Sequence, residues 1–216
     1  MSKSNARVAP RLAQQVEPPQ IEFSRGTDLY GALVQGDFAG VTLSASDISE
    51  SRFDGARLTG GHFERSTIAD CVWTGCDLAG AVFDGCTFTR VEFLDCRLSG
   101  VQAGQARFSD VAFVDCKGNG ANFRLTTWTR SEFLRCDLEG ADFYDSRLPA
   151  TLVLECDLTG ADFSKADLAG SRLNGSTLDR TRVADSLHRV TIGSDQVIPA
   201  ALALFAALDI SVDDDA

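Results

Sequence analysis

Three kinds of residue in this chain have side chains that could do chemistry: seven cysteines, two histidines and a series of aspartates. Thiolates bind zinc, and a thiol or hydroxyl beside a histidine can act as a nucleophile. A structural zinc site needs a close paired spacing such as Cys-x-x-Cys, which the sequence lacks. Neither His62 nor His188 has a cysteine or serine partner that its spacing would bring close. We therefore predict no catalytic residues, no metal site and no cofactor.

The spacing of the cysteines indicates a structural role instead. Every gap between them is a multiple of five residues, and their odd number does not fit a closed disulfide framework. The positions are Cys71, Cys76, Cys86, Cys96, Cys116, Cys136 and Cys156. Free cysteine commonly behaves as a small buried apolar residue. We interpret the seven thiols as part of a core built on a five-residue period.

The aspartates follow the same period. One column with steps of twenty residues contains Asp37, Arg57, Asp77, Arg97, Lys117, Asp137 and Asp157. A hard cation would need several oxygen ligands together, whereas this column mixes both signs of charge. The pattern favours a solvated ladder of ion pairs over a metal site.

A large apolar residue follows each cysteine by two positions. Steps of five from Leu33 to Val183 give 31 positions, and 29 of them hold a large apolar residue, the exceptions being Ala103 and Gly118. A period of five matches neither a helix nor a flat strand. It suits a coil that turns a corner every five residues and points one large and one small side chain inward. We expect a thin core at the two exceptions, unless neighbouring side chains fill the space.

Glycines indicate how many sides the coil has. They recur every twenty residues, at Gly40, Gly60, Gly80, Gly100, Gly120, Gly140 and Gly160. Glycine adopts positive φ without steric cost, which suits the third position of a type II turn. Four sides of five residues therefore make one turn. With ~4.8 Å between stacked strands, the 31 steps correspond to nearly eight coils and a rod of roughly 37 Å.

These residues resemble a known family. Segments such as Cys76-Asp77-Leu78-Ala79-Gly80 and Ala161-Asp162-Phe163 are similar to the Ala-(Asp/Asn)-Leu-x-x motif of the pentapeptide repeat family. The resemblance runs without a break over residues 33–183. It implies an all-β fold, a right-handed quadrilateral parallel β-helix, to which the sequence adds a short C-terminal α-helix.

The two ends differ from the repeat. We expect a flexible tail over residues 1–20, the β-helix over 21–187, and a capping or dimerisation helix with an acidic tail over 188–216. Asp195 is expected to cap this helix. Its apolar stripe includes the dimer candidates Ile198, Leu202 and Phe205. The resemblance implies a homodimer through the C-terminus, because members of the family dimerise there; the alternative is a monomer whose helix only seals the last coil.

Composition excludes some classes of protein. The net charge of −11 argues against direct binding of nucleic-acid phosphates, which requires surplus lysine and arginine. No apolar run reaches the ~18 residues of a membrane span, and the first residues lack the apolar stretch of a signal peptide. We expect a cytoplasmic protein.

One face of the predicted rod combines aliphatic and acidic residues. Its aliphatic column, one residue after the large apolar centres, is Leu94, Val114, Leu134 and Leu154, and its acidic candidates are Glu92, Asp95, Asp115, Glu132 and Glu155. A contiguous exposed apolar patch marks an interaction site. Alternatively, a terminal segment folds over the column, or its side chains only shield the turn.

The resemblance also implies a partner. Qnr-type and mycobacterial quinolone-resistance proteins of the family, and self-resistance proteins of antibiotic producers, bind DNA gyrase or topoisomerase IV through an acidic rod that resembles duplex DNA. By this resemblance we expect a non-enzymatic DNA mimic that protects the topoisomerase from poisons, or modulates their effect, and so gives antibiotic resistance or self-immunity. The alternative is a generic scaffold for another protein partner.

Residues 33–183 carry a net charge of −7, whereas a duplex of ~37 Å carries about 22 charges, so mimicry is partial. The chain also lacks the register-breaking loops of the Qnr branch.

Overall fold

The computed structural model describes residues 6–13, 23–183 and 186–210. Ten short strands stack in parallel: β1 (Leu29–Tyr30), β2 (Leu33–Val34), β3 (Asp47–Ser49), β4 (Arg52–Asp54), β5 (Thr67–Thr74), β6 (Thr87–Leu94), β7 (Arg107–Val114), β8 (Thr127–Thr129), β9 (Glu132–Leu134) and β10 (Leu152–Leu154). A 3-10 turn (Ser194–Gln196) and one helix, α1 (Val197–Ala207), follow. The predicted parallel β-helix with a short C-terminal α-helix is confirmed.

Successive coils are in register at twenty residues. Phe88 pairs with Phe108, and Phe108 with Trp128, while isolated bridges such as Asp37 to Arg57 continue the register on the turn-rich sides. Regular strands account for about six turns, slightly fewer than the nearly eight coils predicted. The difference arises because the coils after β10 stack through isolated bridges such as Asp157 to Thr177.

The core is a stack of large apolar side chains, as the five-residue period predicts. Phe93 and Phe113 stack with ring centroids 4.8 Å apart, and Phe113 and Phe133 stack at 4.9 Å. All seven cysteines are buried and free. Over most of the rod, aromatic rings thus stack at nearly the strand spacing, which gives a densely packed interior.

The turn chemistry also agrees with the sequence. At Gly80 the backbone has φ of +65°, and the Ala81 N–H donates to the Leu78 carbonyl at 2.9 Å across the corner. Positive φ at the third residue of such a turn is the reason for the glycine column. On other corners an aspartate or arginine adopts the same left-handed conformation, for example Asp110 at +59°.

The core is thin at one of the two predicted places. A cavity of about 10 Å³ lies beside Ala103, among apolar side chains that include Phe83 and Phe123. At Gly118 the neighbouring coil fills the space, because the Leu138 Cδ2 lies 3.1 Å from where a Cβ would stand.

The first coil departs from the predicted register. Val34, not Leu33, occupies the buried position, since Val34 pairs with Phe53, nineteen residues later. The first coil is therefore one residue shorter there, and the twenty-residue register begins at Asp37.

The end of the solenoid also differs from the expectation. The Leu173 N–H donates to the Thr191 carbonyl at 2.9 Å, so the coil path continues past the predicted boundary at residue 187. Gln196, not Asp195, is the N-cap residue of α1, and its side chain closes the preceding 3-10 turn: its Oε1 accepts the Gly193 N–H at 2.7 Å. Its Nε2 donates to two carbonyls of the last coil and covers that edge. No helix among the described residues is long and apolar enough to cross a bilayer.

Candidate protein-interaction surface

The aliphatic column lies on one side of the rod, at the ends of the long strands. Leu94 pairs with Val114, Val114 with Leu134, and Leu134 with Leu154, so the four side chains form a continuous stripe. Each is half-buried, whereas the sequence predicts an exposed patch. We attribute this to the stacking itself, because side chains one coil apart cover one another. The stripe offers apolar edges without an open hydrophobic surface.

The acidic candidates on this side fall into three groups. Asp95 and Glu155 are exposed at the corner. Asp115 accepts two hydrogen bonds of 2.7 Å from Arg135, one coil further on, and the Arg135 guanidinium holds the pKa of Asp115 below its usual range. Glu92 and Glu132 are both bound by one arginine, as described next.

A segment of the predicted tail lies along this face. The Arg7 guanidinium contacts the Glu92 carboxylate at 2.8 Å and the Glu132 carboxylate at 3.0 Å. The sequence predicts flexibility over residues 1–20, but the structure places residues 6–13 against the rod; the rest of that range lies outside the described residues. The physical reason is charge: the rod offers carboxylates, and the segment carries two arginines. We call residues 6–13 the N-terminal strap.

The backbone of the strap is bound by two buried carboxylates. The Val8 N–H donates to Asp110 Oδ1 at 3.0 Å, and the Arg11 N–H donates to Asp70 Oδ1 at 2.9 Å. Neither aspartate was among the candidates from sequence. The signal that could have identified them is the alternation of Asp70, Arg90, Asp110 and Arg130 at steps of twenty residues.

The alternation forms ion pairs between coils. Arg90 binds both oxygens of Asp70 at 2.7 and 2.5 Å, and Arg130 binds both oxygens of Asp110 at 2.8 and 2.6 Å. These arginines lower the pKa of each carboxyl, more than burial raises it, and the strap amide lowers it further. Both carboxylates are therefore ionised at neutral pH, and both oxygens of each accept hydrogen bonds from donors of the same chain.

The strap changes the surface between its contacts. Ala112 occupies the outward position between Glu92 and Glu132 and is completely buried. Because Arg7 bridges the two glutamates, it must pass across Ala112. The middle of the acidic face is therefore covered and neutralised by the chain itself.

The other chemistry-bearing residues are structural or solvated. Arg57 pairs with Asp37 at 2.5 Å and Arg97 with Asp77 at 3.5 Å, as the ladder prediction requires. The Asp77 carboxylate also accepts the Ala79 N–H at 3.1 Å, which forms an Asx-type turn. Within the described residues, no cluster of three or more histidine, cysteine or acidic side chains is arranged to bind a metal ion.

The thiols lie in the core, and the two histidines lie at the surface. Burial raises the pKa of Cys71 and Cys86 to about 12, so both remain protonated thiols at neutral pH. His62 is half-exposed and lies 3.3 Å from the Glu64 carboxylate, and His188 is exposed.

The C-terminal helix leaves an apolar side in solvent. Ala200 and Ala203 are buried, whereas the dimer candidates Ile198, Leu202 and Phe205 are 72%, 58% and 38% exposed. A groove of about 850 Å³ runs between the helix and the last coil, with Leu202 on its wall.

Comparison with known proteins identifies the family to which the chain belongs. A model of the pentapeptide repeat region matches residues 66–143, and a model of eight pentapeptide repeat copies matches residues 154–184. No curated protein sequence matches the chain. Similar solved structures include a trypsin-treated form of QnrB1, a plasmid-mediated fluoroquinolone resistance protein (18% identity, 84% of this chain and 99% of that chain, TM-score 0.48). Another is HetL from the cyanobacterium Nostoc sp. strain PCC 7120, a pentapeptide repeat protein involved in heterocyst differentiation regulation (14% identity, 76% and 90% coverage, TM-score 0.38). The two family models together match just over half of the 216 residues, in the part of the chain that forms the solenoid, and the chain belongs to the pentapeptide repeat family.

Proposed function

We propose that this chain is a non-enzymatic cytoplasmic protein that binds DNA gyrase or topoisomerase IV and protects the enzyme from topoisomerase poisons, or modulates their effect. The observation that carries the proposal is an uninterrupted acidic rod. The ladder from Asp37 to Thr177 contains seven coil steps, which correspond to about 34 Å. A rod of this length can occupy a channel that otherwise holds duplex DNA.

The charges define how such mimicry would work. A duplex of ~34 Å carries about 20 phosphate charges, against a net charge of −7 for residues 33–183. Several carboxylates, Asp70, Asp110 and Asp115 among them, are also bound to arginines of the rod. The contact therefore depends on the acids beside the aliphatic stripe, Asp95 and Glu155 together with Glu92 and Glu132, and on the half-buried stripe itself, more than on total charge.

A homodimer would extend the acidic rod. Ile198, Leu202 and Phe205 leave apolar surface in solvent beyond the last coil, and a second copy of the helix would cover it. Two rods joined at this end would present about twice the length of acidic surface to the enzyme.

Purified protein tests the proposal in a supercoiling assay with gyrase and a decatenation assay with topoisomerase IV, each with and without a quinolone. We expect low-micromolar protein to reduce supercoiling, or to restore it in the presence of the drug. Replacing Leu134 and Leu154 by Ser should weaken this effect. Replacing Thr159 by Ala, on another corner, is the matched control. Absence of any effect on both enzymes would refute the proposal.

The half-buried stripe and the internally paired carboxylates also favour a second candidate, a scaffold that binds a different protein through apolar contacts. The two differ in salt dependence, because surface charge interactions are screened over ~8 Å at physiological ionic strength. Binding that weakens strongly from 50 to 300 mM salt supports the DNA mimic. Binding to another protein that is insensitive to salt supports the scaffold.

A further inference from the structure

The N-terminal strap occupies the face on which the proposed partner contact depends. We propose that residues 6–13 act as an intramolecular competitor, which must leave the acidic face before a cationic protein partner can bind there. This inference rests on the proposed function and concerns the regulation of the same site.

The first argument is a match of lengths. Val8 and Arg11 donate their amides to Asp110 and Asp70, which lie two coils apart. Two coil steps measure about 9.6 Å at the strand spacing. Three residues of polyproline II measure about 9.3 Å, and Pro10, between the two donors, favours that conformation and has no N–H to leave unpaired. An extended segment therefore meets one carboxylate on every second coil without strain.

The second argument is charge. Arg7 bridges Glu92 and Glu132, again two coils apart, and these are two of the five acidic residues proposed for the partner contact. An arginine is well suited to this position because its planar guanidinium binds two carboxylates at once. While the strap is bound, a partner's cationic group finds both glutamates already neutralised.

The third argument is that the strap lies on the surface and does not enter the core. Every residue of the strap is at least partly exposed, and Val8 is 42% exposed. Among the described residues, the Arg7 Nη1 is buried without a hydrogen-bond partner. The segment forms no strand with the rod. A partner that supplies its own cations can therefore displace it.

The expected change in apparent affinity follows from the fraction of molecules in which the strap is released. If the strap is docked about 90% of the time, one tenth of the molecules are competent to bind, and releasing the strap tightens the apparent affinity about tenfold. Conversely, partner binding must expose the strap to solvent, because the two compete for the same carboxylates.

The experiment compares full-length wild type with Arg7→Gln, which removes the bridge, and with Arg25→Gln. Arg25 is exposed on the first coil, so its substitution changes the net charge equally without touching the strap. Two quantities are measured: the affinity for gyrase or topoisomerase IV, and the amide hydrogen exchange of residues 6–13. We expect Arg7→Gln to bind about tenfold more tightly and to exchange faster at Val8 and Arg11, and Arg25→Gln to match wild type in both. Adding the enzyme to wild type should also accelerate exchange in the strap.

The outcomes separate the inference from the function on which it rests. If no variant binds either enzyme, the proposed function is wrong, and the competitor inference fails with it. If wild type and Arg7→Gln bind equally well while exchange shows a released strap, the function stands and the inference is overturned. Slower exchange of residues 6–13 in the enzyme complex would also overturn it, because the strap would then be part of the interface.

Discussion

Asp110 and Asp115 provide a matched test of how burial determines the contribution of an ion pair to the stability of this solenoid. Both adopt a left-handed conformation, with φ of +59° and +55°, and each binds the arginine twenty residues later through two hydrogen bonds. Asparagine tolerates this conformation about as well as aspartate does. Asp110→Asn and Asp115→Asn therefore remove the charge and leave the backbone preference unchanged.

The expected magnitudes differ because the surroundings differ. The Asp110 side chain is 5% exposed and also accepts the Val8 N–H, whereas the Asp115 side chain is 48% exposed. A hydrogen bond to a charged group contributes about 1.5–3 kcal/mol when it is buried. Asparagine keeps one acceptor oxygen and Arg130 can still reach water, so we expect Asp110→Asn to lower the free energy of unfolding by about 2 kcal/mol. Asp115→Asn should cause no measurable loss, as is usual for exposed pairs.

The assay is urea unfolding followed by circular dichroism at a series of pH values. The pKa of Asp110 is lowered, chiefly by Arg130, relative to an unfolded-state value of about 3.9. A carboxyl with a lowered pKa adds stability above its unfolded-state pKa, and this stability is lost as the pH falls through the folded-state pKa. The difference between wild type and Asp110→Asn should therefore be full at pH 7 and shrink below about pH 4.

Two results would refute this reasoning. Equal losses for Asp110→Asn and Asp115→Asn would show that burial does not determine the contribution. A difference between wild type and Asp110→Asn that persists undiminished at pH 2 would show that the charge is not the cause.

Three further predictions concern the turns, the thiols and the helix. Gly80→Ala should cost about 1 kcal/mol of unfolding free energy in urea titrations, purely from the positive φ, because nothing lies within 4 Å of the added Cβ; no loss would contradict this. Cys71 and Cys86 should resist an aromatic disulfide reagent at pH 8 until urea unfolds the protein, since burial raises the pKa of both thiols to about 12; rapid reaction of native protein would disprove their burial. Leu202→Asp combined with Phe205→Asp should yield monomers in light scattering if the exposed helix dimerises, and an unchanged mass would exclude that interface.

The solenoid could be predicted from sequence because each coil repeats the same local rule. A large residue such as Phe113 and a small one such as Cys116 point inward on every coil, and a glycine such as Gly80 turns the corner. Because the same pattern recurs in many repeats, single exceptions do not obscure it. The one-residue shift at Val34 could not be predicted, because it occurs where the repeat begins and has no earlier coil to compare.

The strap could not be predicted for the opposite reason. Its residues follow no period, and its partners lie far along the chain: 125 residues separate Arg7 from Glu132, and 59 separate Arg11 from Asp70. The sequence showed that Glu92 and Glu132 share a face, but it gave no indication that a cation from the terminus would neutralise them. The half-burial of the aliphatic column depends on contact between stacked side chains, which alternation alone does not reveal.

The strap also bears on the mechanics of the rod. In a solenoid each coil contacts only its neighbours, so coils can loosen and unfold one at a time from either end. Residues 6–13 contact the rod from Asp70 to Glu132 and so link four coils, each of which otherwise contacts only its nearest neighbours. A docked strap would therefore make the middle of the rod unfold as one unit and resist bending. Its departure would leave a more compliant rod, able to follow the curvature of the surface it binds.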